Sequence, residues 1–239
     1  MILFIAAAYC PLYAKISMHP YGMVTHYKKD GGKMKSGDVD GNNDRKGTYR
    51  VANADPAAVL QYIKNCSYGE HNLILYPCLG QFEEFYIESC KDSILEKNEI
   101  FIVISQYQHV SVVRKKINQA GIDTERYEND GRLVIVDSEI AYQRAPLHNS
   151  LYNISSLITA SVRQAEAIYG KGITLLTDLG TFILNNRIAD LVLYEVSLPR
   201  VLDFNIKAFC CYHKDDFNIL REEQRKMIFA HHSINLFVA

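Results

Sequence analysis

The turn after one continuous apolar run reads Leu75-Tyr76-Pro77-Cys78-Leu79-Gly80-Gln81-Phe82. In an α/β nucleotide-binding protein, the turn leaving the first core strand carries the phosphate loop. That loop needs several glycines, so that backbone N–H groups can converge on phosphate. It also needs a lysine for charge and a Ser or Thr hydroxyl for magnesium. Here the only glycine is Gly80, and there is no Lys, Ser or Thr. Phosphoryl transfer would lose its positioning and its charge stabilisation together, so ATP hydrolysis is not expected. No GxGxxG run occurs, which removes a dinucleotide fingerprint as well.

Two carboxylates sit where strand-like runs end, in Leu133-Val134-Ile135-Val136-Asp137 and Ile173-Thr174-Leu175-Leu176-Thr177-Asp178. At a strand's carboxyl end, Asp137 or Asp178 could hold a cation or a polar ligand group. Each could equally cap the helix or turn that follows. His71, Cys78, Cys210, Cys211, His213, His231 and His232 are the candidate soft metal ligands. Structural zinc favours short paired spacings, and these residues are dispersed, so no metal is expected. Cys211-Tyr212-His213 could bring a thiolate and an imidazole to one side of a strand, but reads better as a buried thiol beside a rim imidazole. The stretch from Asp38 to Asp44 resembles a calcium loop only superficially, because Asn43 and Tyr49 fall where the loop needs Gly and Glu. No GxSxG or HExxH occurs, and nothing singles out a Cys–His nucleophile pair. The chain has 16 Tyr and no Trp. Tyr76, Tyr107, Tyr142, Tyr194 and Tyr212 fall near expected strand ends or helix starts, as pocket walls with polar handles or as ordinary core and rim.

These residues need elements to position them. Strand-length apolar runs at 71–76, 100–105, 133–137, 173–177, 206–212 and 234–237 alternate with helix-length stretches at 82–97, 109–120, 151–169, 182–202 and 217–230. Continuous runs such as Phe101-Ile102-Val103-Ile104 mark strands buried on both faces, as in parallel sheets. Asp55-Pro56 starts a further helix to about residue 66, with Asp as N-cap and Pro at the first helical position. The alternation predicts an α/β three-layer sandwich with a mostly parallel central sheet, and a ligand crevice at the strands' carboxyl ends.

At 239 residues and net charge −1, the chain suits one large domain and carries no global field for nucleic acid or an anionic membrane. Its six scattered cysteines read as reduced thiols of a cytoplasmic protein. Residues 1–54 read as a flexible extension and 55–239 as the domain, because 20–50 are polar and Gly-rich. The apolar start, Met1 to Ile16, is too short to span a bilayer, is broken by Pro11 and Lys15, and lacks the leading positive charge of a secretory signal. Met18, Met23 or Met34 are alternative initiators.

The order of several motifs resembles one family. Gly69-Glu70-His71-Asn72-Leu73-Ile74-Leu75-Tyr76 is similar to the start of the MEDS domain, the methanogen/methylotroph, DcmR sensory domain. Ile94-Leu95-Glu96-Lys97-Asn98-Glu99 resembles its step into a second strand, with Asn98 for the usual Gly. Ala120-Gly121-Ile122-Asp123, Gly131-Arg132-Leu133-Val134-Ile135-Val136-Asp137, Ala141-Tyr142, Tyr194-Glu195, Ala208-Phe209-Cys210-Cys211-Tyr212-His213 and His231-His232-Ser233-Ile234 follow in order. His213 and Ser233 depart from the family's usual Asp and Pro. The resemblance covers about residues 69–238. It implies a RecA/KaiC-like scaffold, with Asp178 in the Walker B position and the phosphate loop missing.

The resemblance implies a non-catalytic sensory domain that binds a small organic ligand and signals to a separate transcription regulator or histidine kinase. His71, Tyr76, Asp137, Tyr142, Asp178, Glu195, Cys210 and Tyr212 are then the candidate pocket residues. No cofactor, direct nucleic-acid contact or membrane contact is expected, and a homo-oligomer remains open. Two alternatives stand beside this reading. One is an enzyme using Cys/His or carboxylate chemistry in the same crevice, which needs an exposed Cys210 or Cys211 beside a His. The other is an inactive RecA-like interaction module.

Overall fold

Among the described residues, seven strands form one sheet, and each strand pairs in parallel with its neighbours. They are β1 (Val51–Ala54), β2 (His71–Tyr76), β3 (Ile100–Ser105), β4 (Leu133–Asp137), β5 (Ile173–Asp178), β6 (Ile206–His213) and β7 (Asn235–Val238). Across the sheet they run β1-β7-β2-β6-β5-β3-β4. The computed structural model describes residues 49–143, 153–164 and 172–239. Residues 1–48 of the extension expected at 1–54 therefore lie outside the described residues.

Parallel neighbours need crossovers, and helices supply them. The helices are α1 (Pro56–Asn65), α2 (Leu79–Lys91), α3 (Val110–Gln119), α4 (Thr124–Asn129), α5 (Ser138–Ala141), α6 (Asn153–Gln164), α7 (Gly180–Leu184), α8 (Ile188–Ser197), α9 (Lys214–Phe217) and α10 (Glu222–Ala230). One sheet face packs Ile74, Phe101, Val103 and Phe209 against Val59, Ile63, Phe82, Phe85, Val113 and Ile117 of α1, α2 and α3. The other packs Leu73, Ile102, Leu175 and Cys210 against Ile154, Phe182, Leu191, Tyr194 and Ile228 of α6, α7, α8 and α10. The three-layer α/β sandwich expected from the alternation is thus present. β2, β3 and β5 are buried at every position, which is why their apolar runs are nearly unbroken.

Several elements differ from expectation. β1 is unmarked in the sequence, where Val51–Ala54 falls inside the polar extension, yet it pairs with β7 along its whole length. The expected helix at 182–202 divides into α7 and α8, because Asn186 adopts a left-handed φ of 54°. Asn tolerates that region better than most residues. The same property explains Asn98, at φ 56°, where the family's usual residue is glycine. The stretch at 217–230 divides into α9 and α10. The described part of the helix expected at 151–169 is Asn153–Gln164.

The start of α1 follows the sequence reading. Asp55 Oδ1 accepts the Ala58 N–H at 2.8 Å, and Pro56 fills the first turn. Asp55→Ala should destabilise the fold by about 1 kcal/mol, read as a lower denaturant midpoint at unchanged slope. An unchanged midpoint would mean α1 does not need this cap.

At the amino ends of the strands, a buried charge pair joins β3 to β6. Lys207 Nζ lies 3.2 Å from Glu99 Oε1, with the two side chains 5% and 2% exposed. Thr174 donates its hydroxyl to Glu99 Oε2 at 2.8 Å, and Tyr68 donates to Oε1. The Tyr68 ring also covers Lys207, with Nζ 4.8 Å from its centroid. Gly172 makes this possible, because a Cβ there would lie 2.1 Å from a Tyr68 ring carbon.

Candidate functional site

Alternate residues of a strand face the same side, so His71 of β2 points with Leu73 and Leu75, while Cys210 of β6 points with Ala208 and Tyr212. The β2–β6 register pairs His71 with Ala208 and Leu73 with Cys210. This brings His71 Nε2 within 3.2 Å of Cys210 Sγ. From α8, Glu195 places Oε2 3.8 Å from His71 Nε2. From the turn after α10, His232 places Nε2 3.4 Å from the same oxygen. The two imidazole rings lie 4.1 Å apart. Tyr212 donates its hydroxyl to Glu195 Oε1. All five residues are fully buried or nearly so.

The other nitrogens fix the tautomers. His71 Nδ1 is 3.2 Å from the His231 carbonyl, and His232 Nδ1 is 2.8 Å from the Ile228 carbonyl. A carbonyl only accepts, so each Nδ1 carries the proton and each Nε2 turns a lone pair inward. Burial sets the charge states. It holds the His71 imidazole down to about 4 and pushes His232 well below its ordinary value. It also pushes the Glu195 carboxyl up to about 7 and the Cys210 thiol well above its ordinary value.

Tyr76 and Asp178 face the other side of the sheet, at the carboxyl ends of β2 and β5. The Tyr76 hydroxyl donates to Asp178 Oδ2 at 2.9 Å, and the Gly180 N–H donates to Oδ1 at 2.9 Å. Burial raises the Asp178 carboxyl to about 7, against the pull of these donors. The Tyr76 ring stacks on Phe82 and meets His213 edge-on, with centroids 5.2 and 5.5 Å away. Tyr107 lies 6.2 Å from His213 and covers Gly180, where a Cβ would sit 2.7 Å from the Tyr107 hydroxyl. Three consecutive residues at the end of β3 carry buried polar atoms that lack a hydrogen-bond partner: Ser105 Oγ, Gln106 Oε1 and the Tyr107 hydroxyl.

The eight residues singled out in the sequence therefore fall into separate groups. His71, Glu195, Cys210 and Tyr212 meet on one face of the sheet, and Tyr76 meets Asp178 on the other. Tyr142 bonds Thr177 and packs its ring 5.0 Å from Phe182 and 5.2 Å from Tyr194. Asp137 takes the capping alternative: it is the N-cap of α5 and accepts the Glu139 N–H at 2.8 Å. His232 was absent from the expected pocket, although the pair His231-His232 flagged it as a possible ligand. Ser105 and Gln106 carry no signal in the sequence, since polar residues after a strand look like any turn, whereas Tyr107 is among the tyrosines expected as pocket wall or ordinary core. The enzyme alternative needed an exposed thiol. Cys210 and Cys211 are both buried, with their thiols pushed well above the ordinary range.

The family model of the methanogen/methylotroph, DcmR sensory domain matches residues 71–232, more than half of the chain. The chain belongs to the MEDS family. The matched span opens on His71 and closes on His232, both in the buried cluster of this MEDS domain. No curated protein matches the sequence. A similar solved structure is a KaiC-like protein from the hyperthermophilic archaeon Pyrococcus horikoshii OT3. Identity is 14%, the match covers 71% of this chain and 61% of that one, and the TM-score is 0.37. A likeness of that strength bears on neither activity nor ligand. Among the described residues, no helix of the MEDS domain is long and apolar enough to cross a membrane.

Proposed function

We propose that this MEDS domain is a non-catalytic sensor that binds a small organic ligand at the carboxyl ends of β2, β3 and β5, and relays the signal to a separate transcription regulator or histidine kinase. One observation carries the reading. Ser105, Gln106 and Tyr107, consecutive at the carboxyl end of β3, carry three buried polar atoms without a hydrogen-bond partner, and the Tyr107 ring packs against His213. Leaving such groups unpaired is unfavourable by about 1–3 kcal/mol each, and a ligand with its own donor and acceptor would remove that penalty. Tyr76, Phe82 and His213 supply the apolar wall.

The adjoining turn argues against a nucleotide. α2 begins at Leu79 with no side-chain cap, and nothing on the turn supplies a lysine or a magnesium-binding hydroxyl. Asp178, the residue that would face magnesium, is already held by Tyr76 and Gly180. A ligand that orders the β3–α3 connection would shift the surface presented to a partner.

Thermal-shift screening of the full chain tests this. At least one small polar organic should raise Tm saturably, and Tyr107→Phe should weaken that ligand by roughly tenfold, since one hydrogen bond is lost. A nucleotide that raises Tm while small organics do not would reject the reading.

A further inference from the structure

The core cluster on the opposite sheet face has no part in that crevice, yet its atoms are arranged around a common centre. We propose that His71, Glu195, Cys210 and His232 together bind one Zn2+ ion, through the two Nε2 atoms, the Glu195 carboxylate and the Cys210 thiolate. This does not rest on the ligand reading above.

The geometry is that of a metal shell. The four donor atoms all lie within 4.8 Å of one another. His71 to Cys210, His232 to Glu195 and His71 to Glu195 are separated by 3.2, 3.4 and 3.8 Å. Tetrahedral zinc, with bonds of about 2.0–2.3 Å, sets its ligands about 3.3–3.8 Å apart. Glu195 Oε2 and His232 Nε2 are buried without any hydrogen-bond partner. Both point at the centre, where a cation would satisfy them.

The surroundings hold the ligands in the required form. Each imidazole gives its Nδ1–H to a backbone carbonyl, which leaves Nε2 free to coordinate. Tyr212 bonds the carboxylate oxygen that faces away from His232. Two neutral imidazoles, one carboxylate and one thiolate sum to −2, so a divalent ion gives a neutral centre in an apolar layer. Thiolate and imidazole disfavour magnesium and calcium. Four protein ligands, all buried, describe a closed structural site with no position for substrate. On binding, the Cys210 S–H bond breaks, an S–Zn bond forms and the proton leaves to water, as does any proton on Glu195. No oxidation state changes. The ion would tie together β2, α8, β6 and the turn before β7.

Metal content of the full chain, purified without a histidine tag, tests the site by mass spectrometry. The expected content is about one Zn2+ per chain. Refolding with Co2+ should give a thiolate-to-cobalt charge-transfer band in the near-ultraviolet. Cys210→Ser and His232→Ala should each lower bound metal roughly tenfold or more. Cys211→Ser, one residue along but on the opposite face, should retain it. If the ligand variants fail to fold, the cobalt band of the unaltered chain still reports thiolate ligation. A folded chain that holds under about a tenth of an equivalent and takes up neither ion would overturn the proposal. It would leave a protonated Glu195 bonded to His232 in its place. Equal metal loss in Cys211→Ser would overturn it too.

Discussion

Glu99→Ala should destabilise the domain by about 3–5 kcal/mol, the range for breaking a buried ion pair from one side. The substitution strands the Lys207 ammonium, which has almost no access to water. It also removes the acceptor of both the Tyr68 and Thr174 hydroxyls. The pair joins the amino ends of β3 and β6, with Thr174 of the intervening β5 bonded to it. Replacing both charges, as Glu99→Leu with Lys207→Met, should recover most of the loss, since well-packed apolar substitutes are often neutral. Urea unfolding of the three chains measures this. A single-variant loss under about 1 kcal/mol would show that water reaches the pair.

The second large effect is one of pH. Burial raises the Asp178 carboxyl from 3.8 to about 7. The folded state therefore keeps this proton across a range where the unfolded chain releases it. A raised carboxyl contributes its stability fully at low pH and loses it as pH climbs through the window from about 4 to about 7. Asp178→Asn carries no proton to lose. Stability of the unaltered chain minus that of the variant should thus fall as pH rises from about 4 to about 7, by of the order of 4 kcal/mol, and then level off. Contributions from Glu195 and the histidines are common to both chains and cancel in the difference. A flat or rising difference would mean that Asp178 is ionised in the fold, held by Gly180 and Tyr76.

What the sequence revealed follows from which interactions are local. Phe101-Ile102-Val103-Ile104 marks a doubly covered strand because burial on both faces demands an unbroken apolar run. Asp55 and Pro56 mark a helix start because capping is settled within one turn. β1 escaped notice because an edge strand of four residues is held by β7, far along the chain, rather than by its own pattern. The helix at 182–202 reads as continuous because its apolar spacing barely changes, and only the left-handed Asn186 breaks it.

The clusters were harder to see. His71 and Cys210 were each marked as candidates, but their contact depends on β2 lying beside β6. His232 joins them from beyond α10, so no short spacing of the kind that announces a zinc finger exists. Asp137 and Asp178 look alike in sequence, each closing an apolar run. They part only because β4 is at the sheet's edge, where its carboxylate caps α5, while β5 is interior and its carboxylate meets Tyr76. The composition of the turn after Tyr76, with one glycine and no Lys, Ser or Thr, can be read directly, because a phosphate cradle is itself local chemistry.

As a sensor, this α/β scaffold would serve recognition without consuming nucleotide. Isothermal titration of the full chain with magnesium-ATP, followed by a phosphate-release assay on the same sample, tests that most directly. No saturable heat up to millimolar nucleotide, and no phosphate above the buffer blank, is the result expected. A saturating isotherm accompanied by steady phosphate release would contradict it.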